Sequence, residues 1–181
     1  MRLSADKKET GLIQIYTGNG KGKSTAAFGL TLRASGAGLS VSIVQFMKEG
    51  GWYSEIGVLR QLANVEIYSY GIGKFIRKGT PPDEGSLRLA AEAMAKAREL
   101  LADESVDVLI LDELCNAVYF ELITEEDALS LLDAKRADQE LVLTGRNATE
   151  KLIERADLVT EMREIKHPFK QGIKARKGIE Y

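Results

Sequence analysis

The sequence predicts a three-layer α/β domain in which helices flank a mainly parallel sheet. Short apolar runs alternate with segments of helical periodicity along the 181 residues, which is typical of strands joined by crossover helices. Most runs are apolar at nearly every position, as expected of parallel strands buried on both faces. With 44% hydrophobic side chains, the chain can bury one sizeable core, and we expect a single domain over residues 1–181.

The first predicted strand runs from Gly11 to Tyr16 and leads into a glycine-rich turn and a helix. Residues Ala26 to Ala34 have the helical spacing. Leu39 to Met47 is apolar and β-branched and is predicted to be an inner strand, and Val65 to Tyr68 is a weaker candidate. Residues 1–10 are polar and charged, and we expect them to form a flexible N-terminal segment.

The middle of the chain combines a loop, a long helix and a strand. The segment from Tyr70 to Pro82 contains three glycines and two prolines without a period and is predicted to be an ordered loop. Apolar residues then recur at three- and four-residue spacing from Leu87 to Leu101, which predicts an amphipathic helix. Val106 to Leu111 is continuously apolar and ends in Asp112 and Glu113, so we expect an inner strand with carboxylates at its carboxyl end.

The C-terminal third is predicted to add two helices and two strands. Thr124 is predicted to cap a helix through Leu132, and Asn147 to cap a short helix around Lys151 to Glu154. The predicted strands are Leu141 to Thr144 and Asp157 to Met162. Beyond them no regular structure is expected. Residues 163–181 contain six Lys or Arg and two Glu, and we expect a basic tail packed on the domain.

A phosphate-binding loop is predicted between the first strand and the first helix. The stretch Gly18-Asn19-Gly20-Lys21-Gly22-Lys23-Ser24-Thr25 ends as a Walker A motif does, although Thr17 stands where the usual spacing has its first glycine. Glycines let backbone N–H groups turn toward an anion, Lys23 supplies charge, and Ser24 can hold Mg²⁺. The alternative is a glycine-rich turn without a ligand, which does not require the Lys23-Ser24 pair.

The Asp112-Glu113 pair is the second candidate feature. In P-loop proteins, an acidic residue at the end of an inner strand faces the Mg²⁺ that the loop holds. The alternative is that these residues cap the helix that follows. ATPases, kinases and motor domains share both motifs, so the two motifs alone predict nucleotide binding and no particular reaction.

Further motifs follow in order along the chain. They are Val44-Gln45-Phe46 with Lys48, the loop Gly71 to Lys78, Leu111-Asp112-Glu113-Leu114, Thr144-Gly145-Arg146-Asn147, Ala156-Asp157-Leu158-Val159-Thr160-Glu161, Lys166-His167-Pro168-Phe169, Gly172-Ile173-Lys174-Ala175 and Gly178-Ile179-Glu180-Tyr181. Together with the phosphate loop, they resemble the ATP:corrinoid adenosyltransferase family from about Gly11 to the last residue. The C-terminal motif discriminates between families far better than the phosphate loop does.

The resemblance implies a recombinase-like P-loop fold and a specific reaction. The 5′-deoxyadenosyl group of ATP would pass to the Co(I) centre of a corrinoid, with triphosphate as the leaving group. ATP and the reduced corrinoid are then the substrates, with Mg²⁺ as cofactor. The resemblance also implies a homodimer and a flavoprotein electron donor. No general base is required, because reduced corrinoid cobalt is itself a very strong nucleophile.

The resemblance also implies roles for individual residues at the nucleotide. Phosphate contacts fall on Asn19, Gly20, Lys21, Gly22, Lys23, Ser24 and Thr25, and Lys23 is the expected catalytic charge. Mg²⁺ contacts fall on Ser24 and Glu113, with Asp112 as a weaker candidate. Arg33 and Arg146 are expected to reach the nucleotide, and the alternative for each is ordinary surface pairing.

The corrinoid end of the site rests on fewer residues. Phe75 aligns with an aromatic residue that presses against the lower corrin face, and it is the second expected catalytic residue. Arg77 stands where a family member carries tryptophan, so Trp52 or Tyr53 is a candidate to close that face, the alternative being simple packing. His167 is expected to order the backbone of its own turn rather than bind cobalt.

Composition excludes several functional classes. A net charge of -2 gives no global reason to bind nucleic acid or an anionic membrane, and no apolar run approaches the length of a membrane span. The single cysteine, Cys115, cannot form an intramolecular disulfide, which fits a reducing cytoplasm. Two rival functions remain open: an ATPase in which Glu113 polarises water, and a non-catalytic carrier of adenosylated cofactor.

Overall fold

The computed structural model describes residues 10–49, 53–73 and 79–181. Its strands are β1 (Ile13–Thr17), β2 (Val41–Phe46), β3 (Val65–Tyr70), β4 (Val108–Asp112), β5 (Glu140–Thr144) and β6 (Leu158–Glu161). They form one sheet in the order β3-β2-β4-β5-β1-β6. Each neighbouring pair in it is parallel. The predicted parallel sheet is confirmed.

Helices cover both faces of this sheet. They are α1 (Lys23–Gly36), α2 (Ser54–Leu59), α3 (Glu84–Ala102), α4 (Leu114–Tyr119), α5 (Glu125–Ala134) and α6 (Glu150–Arg155). On one face, Phe28 of α1 and Ile56 of α2 join the buried apolar side chains of the sheet. On the other face, α3, α5 and α6 contribute Leu101, Leu131 and Leu152. The predicted three-layer architecture is therefore confirmed. Among the residues described, no helix is both long and apolar enough to cross a membrane.

Several local features differ from the sequence prediction. The sequence does not predict α2 and α4, because six residues are too few to display a helical period. The cap of α6 is Thr149, whose hydroxyl accepts a hydrogen bond from the Leu152 N–H at 3.4 Å. The prediction for Asn147 is wrong, because its backbone is left-handed, with φ 58°, where a capping residue is extended. The tail contains a 3₁₀ turn, Pro168–Gln171, where no regular structure was expected.

The carboxyl ends of the parallel strands bring the predicted chemistry to one edge of the sheet. The glycine-rich loop follows β1, Lys48 follows β2, Asp112 ends β4, and Arg146 follows β5. Three residues just past these strand ends have a left-handed backbone, namely Met47, Glu113 and Asn147, with φ of 62°, 65° and 58°. Such conformations cost free energy and concentrate at functional sites. Parallel α/β sheets bind their ligands at this edge.

Candidate nucleotide site

The loop between β1 and α1 is held against the residue that follows β6. The Gly20 N–H donates a hydrogen bond to the carbonyl oxygen of Met162 at 2.6 Å. A Cβ atom added to Gly18 or to Gly20 would lie 2.6 Å from that same oxygen, so neither position has room for a side chain. Gly18 and Gly22 also have positive φ, 94° and 123°, which favours glycine. Close packing and backbone conformation therefore explain three glycines of the predicted phosphate loop.

Lys23 begins α1, and its ammonium group turns into the loop. Its Nζ donates hydrogen bonds to the carbonyl oxygens of Gly18 and Gly20, each at 2.7 Å. Burial, followed by the positive charge of Arg146, lowers the pKa of Lys23. The first turn of a helix carries partial positive charge as well. Lys23, Arg146 and the start of α1 together suit this end of the sheet to a phosphate chain.

A row of polar side chains crosses the sheet at the ends of four strands. In the register, Gln45 of β2 lies opposite both Ser69 of β3 and Asp112 of β4. Ser69 Oγ donates to Gln45 Oε1 at 2.9 Å, and Gln45 Nε2 donates to Asp112 Oδ2 at 3.1 Å. Thr144 Oγ1 donates to Asp112 Oδ1 at 2.8 Å and accepts from the Glu113 N–H at 2.9 Å. These bonds hold the Asp112 carboxylate in one orientation.

The Lys48 ammonium lies among the three side-chain oxygens that were predicted to contact Mg²⁺. Its Nζ is 2.8 Å from Asp112 Oδ2, 3.1 Å from Ser24 Oγ and 3.5 Å from Glu113 Oε1. Burial lowers the pKa of Lys48, but the negative charges of Asp112 and Glu113 outweigh it and raise that pKa overall. The sequence singles out Lys48 only as part of the motif that begins at Val44-Gln45-Phe46, and it predicts no role for this lysine.

The two neighbouring carboxyl groups differ in their ionisation. Burial alone would raise the pKa of Asp112, yet the adjacent Lys48 ammonium holds it below its usual range. Burial raises the pKa of Glu113, and the charge of Asp112 adds to this effect while Lys48 opposes it. Asn116 Nδ2 donates a hydrogen bond to the Glu113 carboxylate. The site therefore holds Asp112 ionised and leaves Glu113 more easily protonated than an ordinary glutamate.

The capping alternative for Glu113 is wrong. Glu113 does occupy the N-cap position of α4, but its side chain makes no capping hydrogen bond. A capping side chain reaches the helix from an extended backbone, whereas the φ of Glu113 is 65°. Its carboxylate is turned toward Lys48 instead.

The residues at this position fit a magnesium ion. Ser24, Asp112 and Glu113 already present oxygen atoms to one cation, the Lys48 ammonium. Hydroxyl and carboxylate oxygens are ligands that Mg²⁺ prefers, and in nucleotide sites it shares them with phosphate oxygens. The described ranges contain no group of three His, Cys, Asp or Glu side chains placed to hold a metal. The donor set here is one hydroxyl and two carboxylates.

An open cleft of about 1420 Å³ runs along this edge of the sheet. Asn19 to Thr25, Glu113 and Arg146 line it, so the structure brings these predicted residues together. Arg33 is exposed on α1, ten residues after Lys23 and thus about 15 Å along the helix. The structure does not bring Arg33 to the loop, and its contact with a nucleotide stays a prediction. The predicted corrinoid contacts lie outside the described residues; they are Trp52, Phe75 and Arg77.

The end of the chain returns to the phosphate loop. Lys21 Nζ donates a hydrogen bond to the carbonyl oxygen of Ile179 at 2.7 Å and lies 3.1 Å from Glu180 Oε1. Glu180 also pairs with Arg176 at 3.0 Å. Residues 178–181 line the cleft. Lys21, which was predicted to contact phosphate, is therefore bonded to the tail.

His167 shapes the turn in which it lies. Its Nδ1 accepts a hydrogen bond from the Phe169 N–H at 3.2 Å, and this bond caps the 3₁₀ turn Pro168–Gln171. The ring also lines the cleft. The prediction that His167 orders its own turn is confirmed.

The fold and this site define a P-loop nucleotide-binding protein: a glycine-rich loop enters a helix that begins with a buried lysine, and a strand-end carboxylate faces it. The fold is similar to a KaiC-like protein from Pyrococcus horikoshii, with a TM-score of 0.50, 15% identity, and coverage of 85% of this chain and 73% of that one. The flagellar accessory protein FlaH from Methanocaldococcus jannaschii has a TM-score of 0.51 and 14% identity. That comparison covers 88% of this chain and 77% of FlaH. These likenesses show the P-loop fold.

The chain belongs to the family of ATP:corrinoid adenosyltransferases BtuR/CobO/CobP, whose model matches residues 9–181. Corrinoid adenosyltransferases from Pseudomonas aeruginosa and Escherichia coli K12 are each 37% identical to it over 180 residues. These alignments cover 99% of this chain and 88% and 90% of the relatives. The corrinoid adenosyltransferase CobA of Salmonella typhimurium is 36% identical over 180 residues, which are 99% of this chain and 90% of that relative. The family predicted from the sequence motifs is confirmed.

Proposed function

We propose that this chain transfers the 5′-deoxyadenosyl group of ATP to the Co(I) centre of a corrinoid and releases inorganic triphosphate. One observation carries the proposal. The phosphate loop and Glu113 line a single cleft of about 1420 Å³, whereas small-molecule pockets are usually about 300–1,000 Å³. The cleft is therefore larger than most pockets that hold one small molecule. Membership of the adenosyltransferase family supports the same reaction.

The reaction asks the protein for positioning and for neutralisation of charge. The reduced cobalt attacks C5′ of the ribose, so no proton has to be removed from the nucleophile. Negative charge grows on the triphosphate as the C5′–O bond breaks, and Lys23, Arg146 and the loop N–H groups would stabilise it. Lys21 would join them after leaving Glu180. Mg²⁺, held by Ser24, Glu113 and Asp112, would supply further charge neutralisation.

The family resemblance supports proposals for the corrinoid end of the cleft. Phe75 would press against the lower corrin face, and Arg77 and Trp52 would line the same pocket. A flavoprotein would reduce Co(II) to Co(I). We further propose that residues 1–181 act as one domain, that the protein is a homodimer, and that it works in the cytoplasm.

A transfer assay tests the proposed reaction. The purified chain would be mixed anaerobically with Mg-ATP and cob(I)alamin, the cobalt absorption followed, and the phosphate product identified by chromatography. We expect a light-sensitive adenosyl spectrum and one triphosphate per corrinoid. Lys23→Ala should abolish both signals, whereas Lys96→Ala should retain them, because Lys96 pairs with Glu99 on α3.

The same assay addresses the ATPase alternative. An ATPase would release ADP and phosphate whether or not corrinoid is present, because its nucleophile is water. That result, with an unchanged cobalt spectrum, would contradict the proposed transfer. A carrier of finished cofactor would instead bind the adenosylated product tightly without turnover.

A further inference from the structure

Lys48 stands at the centre of the carboxyl edge of the sheet. Its ammonium contacts the oxygens of Ser24, Asp112 and Glu113. It also lies 5.0 Å from the centroid of the Tyr53 ring, within the range of a cation–π interaction. Only 12% of the Lys48 side chain is exposed. The ammonium is thus enclosed by the oxygens and the ring.

This lysine balances two carboxylates that have little contact with water. The Asp112 side chain is fully buried, and 20% of the Glu113 side chain is exposed. Removing the cation from such a cluster leaves uncompensated buried charge, which is strongly unfavourable. The oxygens of these two carboxylates are also among those proposed to hold Mg²⁺. An ammonium group and a metal ion cannot both occupy the space among them.

We propose that Lys48 is a tethered cation that keeps divalent metal out of the Ser24–Asp112–Glu113 position until a nucleotide arrives. This inference rests on the metal position of the proposed function. A divalent ion alone would meet the positive charges of Lys48 and Lys23, so its binding is opposed. A metal ion that arrives with a triphosphate brings an excess of negative charge, which gives the displaced ammonium a new partner.

The displaced ammonium has a short path to that partner. Tyr53 and Lys48 line the same cleft as the phosphate loop, and the flexible four-carbon stem of a lysine lets its ammonium move while the backbone stays in place. Movement along the Tyr53 ring would keep the charge in favourable contact with an aromatic face. Lys48 is therefore a positioning residue that couples metal binding to nucleotide binding.

Metal binding in the absence of nucleotide tests this coupling. The full-length wild type, Lys48→Met and Lys96→Met would be titrated with MnCl₂, and free Mn²⁺ followed by electron paramagnetic resonance. Lys96 is a matched control, because it also pairs with a carboxylate, Glu99 at 2.7 Å, and lies 4.8 Å from the centroid of the Tyr68 ring. We expect Lys48→Met to bind one Mn²⁺ at least about tenfold more tightly than the other two proteins. Equal binding by Lys48→Met and wild type would overturn the proposal.

Thermal unfolding separates this role from a merely structural one. Lys48→Met should melt below wild type in EDTA and recover most of the difference in MgCl₂ alone, whereas MgCl₂ should not move the melting temperature of wild type. Lys48→Arg keeps the charge and should exclude Mn²⁺ as wild type does. A Lys48→Met protein that gains nothing from MgCl₂ would contradict the proposal. These metal-binding and unfolding measurements contain neither ATP nor corrinoid. If they give the expected results and the transfer assay fails, only the proposed reaction is contradicted.

Discussion

Lys21 of the phosphate loop lies 3.1 Å from the Glu180 carboxylate, which joins the loop to the penultimate residue of the chain. Hydrogen bonds from the Arg176 side chain and backbone, and then from Lys21, lower the pKa of Glu180 to about 2. A carboxyl group with a lowered pKa stays ionised at any pH above the usual carboxyl pKa. It loses its ionic contacts only as the pH falls through the lowered value. The contact between tail and loop therefore persists at neutral and mildly acidic pH.

Glu180→Gln should strengthen ATP binding. The substitution removes the negative charge beside Lys21 and leaves only the Ile179 carbonyl oxygen to hold that lysine, so we expect about two- to fivefold tighter binding at low ionic strength. Because salt screens exposed charges, the gain should shrink at about 0.5 M salt. Calorimetric titration with ATP measures both effects. The control is Glu92→Gln, which removes the carboxylate of an exposed pair with Arg88 and should leave ATP affinity unchanged. Weaker ATP binding by Glu180→Gln would instead show that the tail helps to hold the nucleotide.

Gly20→Ala should destabilise the protein and its phosphate loop together. The new Cβ would lie 2.6 Å from the Met162 carbonyl oxygen, which is backbone and cannot move aside, so we expect a loss of about 1–3 kcal/mol in the free energy of unfolding. Gly36→Ala is the control, since a Cβ there meets nothing within 4 Å and should stabilise by about 0.4–1 kcal/mol. Urea denaturation compares the two variants, and equal stabilities would contradict the close approach of the loop to Met162.

Arg136→Ala should be among the more damaging substitutions away from the cleft. Its Nη1 donates to the carbonyl oxygens of Leu101 and Asp103 at 2.9 and 2.6 Å, and its Nη2 donates to that of Val106 at 3.0 Å. The guanidinium thus joins the end of α3 to the segment that enters β4. Hydrogen bonds from a charged group contribute about 1.5–3 kcal/mol, so we expect a loss of roughly 2–3 kcal/mol in the free energy of unfolding.

The control for Arg136 is Arg88→Ala. Arg88 forms an exposed pair with Glu92 one turn along α3, and exposed pairs contribute about 0–1 kcal/mol. Urea denaturation of both variants should therefore separate them by more than about 1 kcal/mol. A loss from Arg88→Ala as large as that from Arg136→Ala would mean that the carbonyl contacts of Arg136 do not determine its effect.

Cys115 should be unreactive in the folded protein. Burial, followed by the negative charge of Glu113, raises the pKa of its thiol to about 12, so almost no thiolate forms at pH 8. We expect negligible labelling by a disulfide reagent in buffer and one equivalent in guanidinium chloride. Because the pKa is raised, the thiol's contribution to stability is complete below the usual thiol pKa and is lost as the pH rises toward 12. Rapid labelling in buffer would reveal frequent opening of α4.

The elements with strong local signals are the ones that the sequence predicts. β1, β2, β4 and β5 are short, mainly apolar runs, and α3 repeats its apolar residues at helical spacing. Strands and helices can therefore be told apart by composition and spacing. Lys23 could be named from the Walker A-like stretch that contains it, and Asp112 because it ends the apolar run of β4. The short helices α2 and α4 could not be found this way, since their six residues owe their conformation to packing against the sheet.

The sequence by itself determined the α/β class, the phosphate loop and the family, because apolar runs and contiguous motifs are local properties of a chain. Only the tertiary structure decided that Lys48 reaches Ser24 and Asp112, residues that precede and follow it by 24 and 64 positions. It likewise decided that Glu180 meets Lys21 across 159 positions. The physical reason is that parallel strands deliver distant segments to one edge of the sheet, and which charges then pair depends on strand order and register.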